Sequence, residues 1–385
     1  MKIVCTTNIP FAEEAFSTLG SLQIIPAAKI SNAILKDIDA LITRSTLKVT
    51  GELLAGTKIK FVGTCTIGFD HIDTEYLEKN NIHWANAAGC NANSVAEYIV
   101  AGLLYLANKY SFTLQGRTIS VIGAGNVGKK VIEKACALGL KVLKNDPPLS
   151  DATGDSSYKK LEEILPHSDI VTLHVPLTKE GKYPTFRMVN HDFYRLLKKE
   201  CIFINAARGG IMISDLFIKA RNSELIKYAI TDTWEGEPNF RVDVLEKSHI
   251  ATPHIAGHSF EGKVVGTYLI YKELCRFSGK TANWYYETLL PASSSPELYI
   301  DAYGKTFEQT LLEAVRAVYN IEVDDARMRE IARENDPLKR ASAFEKFRQN
   351  YPIRREFRFT NLHLKNASAE LIGAFKALQF KVSPE

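Results

Sequence analysis

The stretch TISVIGAGNVGK, residues 118–129, constrains the fold more than any other part of the chain. An apolar, β-branched run leads into Gly123-x-Gly125-x-x-Gly128, and the spacing that follows is helical. The first glycine permits a tight strand-to-helix turn, and the second lets backbone approach a pyrophosphate. The third lets helix and strand close on each other, while the helix N-terminus offers N–H donors to an anion. Such a turn heads a parallel βαβ unit, so the chain around it is expected to alternate strand and helix.

It does so twice. Within residues 1–90, KIVC, LQII, DALITR, IKFVGTC and IHWAN read as strands, separated by helical patterns such as FAEEAFSTLG and DTEYLEKN. A second series follows from residue 118: TISVIGAG, KVLKND, DIVTLHV, CIFINAA, KYAITD and SHIATP. The longest apolar segment, SVAEYIVAGLLYLA (94–107), carries Glu97 and is too short to cross a bilayer, so it reads as a buried helix. An amphipathic run at 261–277 suits a helix returning to the first series.

A Pro/Ser-rich break, LLPASSSPE, covers 289–297. Beyond it come helical patterns at 306–318, 322–333 and 337–350, a strand-like REFRFT, the helical SAELIGAFKAL and a final FKV. The expected class is α/β: two doubly wound parallel-sheet domains plus a small α+β C-terminal domain. The expected boundaries are 1–93 with 257–285 for a discontinuous substrate domain, 94–256 for the dinucleotide domain, and 286–385 for the C-terminal domain.

A formal charge of +4 over 385 residues gives no argument for nucleic acid. The six cysteines form no CxxC pair and mostly sit in apolar runs, as free thiols in a reducing cytoplasm would. The N-terminus lacks a signal-peptide pattern, and no segment predicts a membrane span.

The strand KVLKND ends at Asp146, where a carboxylate can accept bonds from both ribose hydroxyls of NAD and repel a 2′-phosphate. NAD is therefore expected over NADP. Three further ionisable residues fall at expected strand ends: Arg208 in INAARGG, Glu237 in TWEGEP and His254 in TPHIAGH. In doubly wound sheets those ends border the ligand crevice. Arg208 can grip a carboxylate with two parallel bonds. His254 can take a hydroxyl proton near neutral pH, and Glu237 can fix its tautomer and stabilise the imidazolium. His254 and His258 lie four apart, as in helical zinc sites. Pro253 and Gly257 oppose a helix there, and no HExxH-type glutamate or third ligand is evident, so no metal is expected.

On VIGAGNVGKK, FINAARGG, DTWEGEP and TPHIAGH, the chain resembles the D-isomer-specific 2-hydroxyacid dehydrogenase family over roughly residues 1–280. The resemblance implies a flavodoxin-like substrate domain and a Rossmann NAD domain. Arg208, Glu237 and His254 match the family's catalytic set. Gly123, Gly125, Asn126, Val127, Gly128, Asp146, Val175, Ala206, Asp232 and Gly257 match cofactor contacts, and Ser45, Thr66 and His258 match substrate contacts. Two positions depart from the pattern. Val175 stands where a cofactor-contacting Thr is usual, and His258 stands where the nearest branch has a substrate-contacting Tyr.

That narrower likeness rests on FVGTCTIGFDHID (61–73), AGCNANSVAEYI (88–99), NDPP (145–148) and EGKYPTFRMV (180–189). It implies oxidation of 4-phospho-D-erythronate to 2-oxo-3-hydroxy-4-phosphobutanoate in vitamin B6 biosynthesis, and a homodimer formed through the C-terminal domain. Arg44, beside Ser45 in ITRSTLK, is the first candidate for the substrate phosphate. Arg354-Arg355 in PIRREF is either a second candidate, reaching across a dimer, or a solvated basic patch. Rival readings are a dehydrogenase for 3-phosphoglycerate or for glycerate and hydroxypyruvate, and an NAD(H)-sensing interaction protein of the same fold.

Overall fold

IVTL and CIFIN, at 170–173 and 201–205, carry apolar side chains on both faces, a pattern stable only where both faces of a strand are covered. In the computed structural model, which describes residues 1–293 and 295–384, every residue of both runs is buried in a parallel sheet. The chain forms two compact units, Met1–Asn91 with Ser259–Ala292, and Ala92–His258 with Ser293–Glu385.

In the first unit, β1 (Lys2–Thr6), β2 (Ser21–Ile25), β3 (Ala40–Thr43), β4 (Phe61–Thr64) and β5 (His83–Asn86) pair in parallel in the order β2-β1-β3-β4-β5. This is the flavodoxin-like order. The helix Phe260–Phe277 packs on β4, burying Ile270, Tyr271 and Leu274. A Cβ on Gly266 of that helix would lie 2.6 Å from the Cys65 carbonyl oxygen, so only glycine allows the approach.

In the second unit, β6 (Thr118–Ile122), β7 (Lys141–Asn145), β8 (Ile170–Leu173), β9 (Cys201–Asn205), β10 (Ile226–Thr231) and β11 (Ile250–Ala251) make a parallel sheet. Their order is β7-β6-β8-β9-β10-β11. Outside β7, one parallel bridge between Lys144 and Tyr158 is what remains of the outermost strand of a Rossmann sheet. The chain reverses direction across the sheet between β6 and β8, the switch point at which doubly wound sheets bind ligands. The helix Ala92–Lys109, buried along most of its length, packs against the helices Asn126–Ala137 and Phe307–Val318.

After residue 295 the chain adds a parallel three-stranded sheet, β12 (Glu297–Asp301), β13 (Asn361–Lys365) and β14 (Lys381–Pro384), in the order β12-β13-β14. The helices Ile321–Ala332 and Pro337–Gln349 lie between β12 and β13 in sequence. Asp325 of the first accepts a bond from the Ala251 N–H at 2.8 Å, covering the edge of β11.

Two sequence expectations differ here. REFRFT forms no strand: it holds a 3₁₀ turn at Phe357–Phe359, and the strand begins at Asn361. The reason is side-chain anchoring, because Glu356 accepts bonds from Asn93 and Ser94 and draws the chain onto the buried helix. The second is the surface reading of Arg354-Arg355, whose residues are 5% and 3% exposed and form no solvated patch.

Candidate active site

The glycine loop behaves as its spacing requires. Gly123 closes β6 with φ +87°, and a Cβ there would lie 2.7 Å from the His174 carbonyl. Gly128 sits against Gly123, whose carbonyl oxygen would lie 2.0 Å from an added Cβ. Gly125 is different: it is exposed, and its Cβ would meet nothing within 4 Å. No protein neighbour demands a glycine at Gly125, whereas a pyrophosphate lying on the backbone would. Gly125 caps the 12-residue helix Asn126–Ala137, with Asn126 exposed and Val127 half-buried in its first turn. The loop therefore fits a dinucleotide.

Asp146 follows β7 and is tied to the same loop. One carboxylate oxygen accepts from the Ala124 N–H at 2.8 Å, and the other caps the next helix through the Leu149 N–H at 3.0 Å. Each oxygen keeps a second lone pair. On the other side of the switch point, His174 N–H bonds the Ile122 carbonyl at 2.7 Å, joining the end of β8 to that of β6. The His174 ring faces Thr172 Oγ1 at 2.8 Å, and burial pushes its pKa down to about 3, so it stays neutral. Val175 follows it, half-buried beside Gly123, and Ala206 is half-buried beyond β9.

The carboxyl ends of β9, β10 and β11, neighbours in the sheet, carry Arg208, Glu237 and His254 on their following loops. Asn205 shapes the first loop, accepting from the Ala207 N–H and donating to the Arg208 carbonyl, both at 3.2 Å. Arg208 is extended and half-buried, and its Nη1 donates to the Ala207 carbonyl at 2.8 Å. The backbone of Gly209 meets that of Trp234 so closely that a Cβ would lie 1.9 Å from the Trp234 carbonyl carbon.

His254 adopts φ +56°, a region histidine visits more readily than most residues but still at a cost. The loop around it enforces that conformation. Buried Asp232 accepts from Thr252 Oγ1 at 2.6 Å, the Ile255 N–H at 2.8 Å and the Ala256 N–H at 3.0 Å. The His254 N–H bonds the Asp232 carbonyl at 2.7 Å, and Trp234 Nε1 donates to the Thr252 carbonyl at 2.9 Å. His254 Nδ1 then donates to Glu237 Oε1 at 2.5 Å, while the Trp234 N–H holds the other Glu237 oxygen at 3.2 Å. Burial pushes the Glu237 carboxyl up, but His254, the Arg348 guanidinium and the Trp234 N–H together hold it below the usual range. An ionised Glu237 leaves Nε2 of His254 as the ring nitrogen available for proton exchange. His258 lies in the same irregular stretch, its ring edge-on to Tyr351 at 5.6 Å.

In the first unit, Arg44 and Ser45 follow β3 and Thr66 follows the neighbouring β4. Arg44 Nη1 donates to the Cys65 carbonyl at 3.1 Å, linking the two strand ends. Thr66 Oγ1 bonds Thr64 Oγ1 at 2.7 Å and donates to the Gly68 carbonyl at 2.8 Å, and Ser45 is exposed. Sequence reasoning missed Asn205, Trp234 and the loop-shaping work of Asp232. Asn205 and Trp234 both lie inside motifs already singled out, FINAARGG and DTWEGEP.

Comparison with known proteins agrees with this geometry. Residues 93–256 match the family "D-isomer specific 2-hydroxyacid dehydrogenase, NAD binding domain", and residues 289–378 match a "Domain of unknown function (DUF3410)". The chain is 40% identical over 370 residues to erythronate-4-phosphate dehydrogenase of Escherichia fergusonii, covering 96% of both chains. It is 39% identical over 369 residues to the Escherichia coli O127:H6 enzyme of the same name, again over 96% of both. Among solved structures it is similar to NAD⁺-bound 3-phosphoglycerate dehydrogenase of Entamoeba histolytica, at 27% identity and a TM-score of 0.62. That match covers 72% of this chain and 95% of the other. The chain belongs to the D-isomer-specific 2-hydroxyacid dehydrogenases, among the erythronate-4-phosphate dehydrogenases.

Proposed function

We propose that this chain oxidises 4-phospho-D-erythronate at C2 to 2-oxo-3-hydroxy-4-phosphobutanoate, in the biosynthesis of vitamin B6. NAD⁺, when bound at the glycine loop and Asp146, supplies the hydride acceptor. Arg208 grips the substrate carboxylate and polarises the oxygen at C2. Nε2 of His254 takes the hydroxyl proton, and Glu237 stabilises the resulting imidazolium. Asn126, Val127, Val175, Ala206, Asp232 and Gly257 are proposed to line the cofactor, with Val175 able to offer backbone contact only. Ser45, Thr66 and His258 are the proposed substrate contacts, and Arg44 the proposed phosphate ligand.

The observation that carries this reading is 40% identity along 96% of the chain to enzymes of that name, together with the bonded Glu237–His254 pair. We assign the substrate domain to 1–93 with 257–285, the nucleotide domain to 94–256 and a dimerisation domain to 286–385. Among the described residues no helix is long and apolar enough to cross a membrane. The cysteines are free and five of the six are buried, which suits a cytoplasmic setting.

The test is initial rates with phosphoerythronate, 3-phosphoglycerate and glycerate under identical conditions with NAD⁺. Turnover that strongly favours phosphoerythronate is expected. Equal rates for all three would sink the assignment, and NAD binding without any turnover would point to a sensor.

A further inference from the structure

The stretch 348–356 of the second unit runs against the loop that carries His254. Tyr351 sets its ring edge-on to His258 and donates its hydroxyl to Asp324 at 2.6 Å. Three residues on, buried Arg354 donates through one nitrogen, Nη2, to two backbone carbonyls: Ala256 at 2.6 Å and Ser94 at 3.0 Å. Its guanidinium lies over the Tyr319 ring, 4.4 Å from the centroid. Ser94 lies in the first turn of the buried helix Ala92–Lys109, a rigid element. Ala256, two residues past His254, gives its N–H to Asp232 at 3.0 Å. Both polar groups of Ala256 are thus held by charged side chains, Asp232 from the end of β10 and Arg354 from the C-terminal segment.

We propose that Arg354 is a positioning residue for the reaction, acting through the Ala256 carbonyl to hold the His254 loop in register with the buried helix. The proposal rests on the reading of His254 as the base. It gives the segment matching a domain of unknown function a part in catalysis within its own chain. A guanidinium suits the task because its planar, delocalised group, stacked on the Tyr319 ring, holds Nη2 and its two N–H donors in one fixed position between the two carbonyls, whereas a flexible ammonium lacks that plane and an apolar side chain has no donor. Asp232 holds the loop through the Ile255 and Ala256 N–H groups and Glu237 holds the His254 ring, but both are acceptors and neither can serve the Ala256 carbonyl. Without Arg354, the buried Ala256 carbonyl loses this donor and the loop loses its tie to the buried helix at Ser94.

The test compares Arg354→Met, Arg354→Lys and His254→Ala with the wild-type full chain, measuring kcat, KM for phosphoerythronate and NAD affinity by fluorescence titration. Arg354→Met is expected to lower kcat about tenfold or more, since small misplacement of a catalytic group is costly in rate. NAD affinity and KM should stay within about threefold, because a positioning loss falls on kcat. Arg354→Lys, which serves the two carbonyls imperfectly, should lie between, about threefold or more below wild type. It also decides the matter if the methionine variant does not fold. A folded variant at either level with kcat within about twofold of wild type overturns the proposal. If His254→Ala is inactive while Arg354→Met turns over normally, the positioning role alone fails. If His254→Ala keeps wild-type turnover, the base assignment fails and the positioning role goes with it.

Discussion

Glu237 Oε1 and His254 Nδ1 stand 2.5 Å apart, on loops that follow adjacent strands. The contact commits one ring nitrogen to an ionised carboxylate and leaves the other for the substrate. His254→Ala should therefore lower kcat by about 10²–10⁴-fold, the usual worth of a positioned acid–base group. Glu237→Gln keeps the shape but not the charge, and should cost about 10–100-fold. Steady-state rates beside NAD titrations check both, and weakened NAD binding in either variant would contradict the assigned roles.

The glycine loop separates a folding requirement from a ligand requirement. Gly128→Ala forces a Cβ to within 2.0 Å of the Gly123 carbonyl oxygen. It should destabilise the protein by ~1–3 kcal/mol, the ordinary cost of overpacking. Gly125→Ala meets no protein atom within 4 Å. Its stability should change by less than ~0.5 kcal/mol, while NAD affinity falls about tenfold, ~1.4 kcal/mol. Denaturant melts and NAD titrations of the two variants distinguish these outcomes, and a Gly125→Ala protein with unchanged NAD affinity would remove the pyrophosphate from that loop.

Arg44 is the proposed phosphate ligand of the first unit. A charge-assisted bond worth ~1.5–3 kcal/mol implies a rise of about 10–100-fold in KM for phosphoerythronate on Arg44→Ala. An unchanged KM in initial-rate measurements would mean that the phosphate is held elsewhere.

Glu97, 2% exposed on the buried helix, has its carboxyl pushed up by burial and by neighbouring Glu356, against the pull of Lys134 and Arg354. A carboxyl whose folded pKa exceeds its unfolded value contributes stability that is fully present below the unfolded pKa. That contribution declines as pH rises through the folded value. Wild type should therefore lose more stability between about pH 5 and 8 than Glu97→Gln does. Urea midpoints across that range test the sign, and a steeper decline in Glu97→Gln would reverse it.

The strands of both large sheets could be read from sequence because their burial is written locally, in runs such as ALIT, FVGT and CIFIN. Glycine spacing and the strand-end residues Arg208, Glu237 and His254 were legible for the same reason: neighbouring sequence defines them. What escaped depends on partners far along the chain. Arg354 and Arg355 look like a surface pair until Ser94 and Ala256, 260 and 98 residues away from Arg354, supply buried acceptors. β12 was not anticipated from sequence, because ELYID is short and follows directly on the LLPASSSPE break; its pairing with β13 spans more than sixty residues. Asp232 was assigned to the cofactor, yet its three loop bonds become visible only when β10 and β11 lie side by side.

The most direct measurement uses 4-phospho-D-erythronate deuterated at C2, incubated with NAD⁺ and the purified chain, with mass spectrometry of the reduced cofactor. The expected result is deuterium recovered in the nicotinamide ring at a rate that collapses in His254→Ala. Reduced cofactor without the label, or no reduction while 3-phosphoglycerate turns over, would contradict C2 oxidation of phosphoerythronate by this chain.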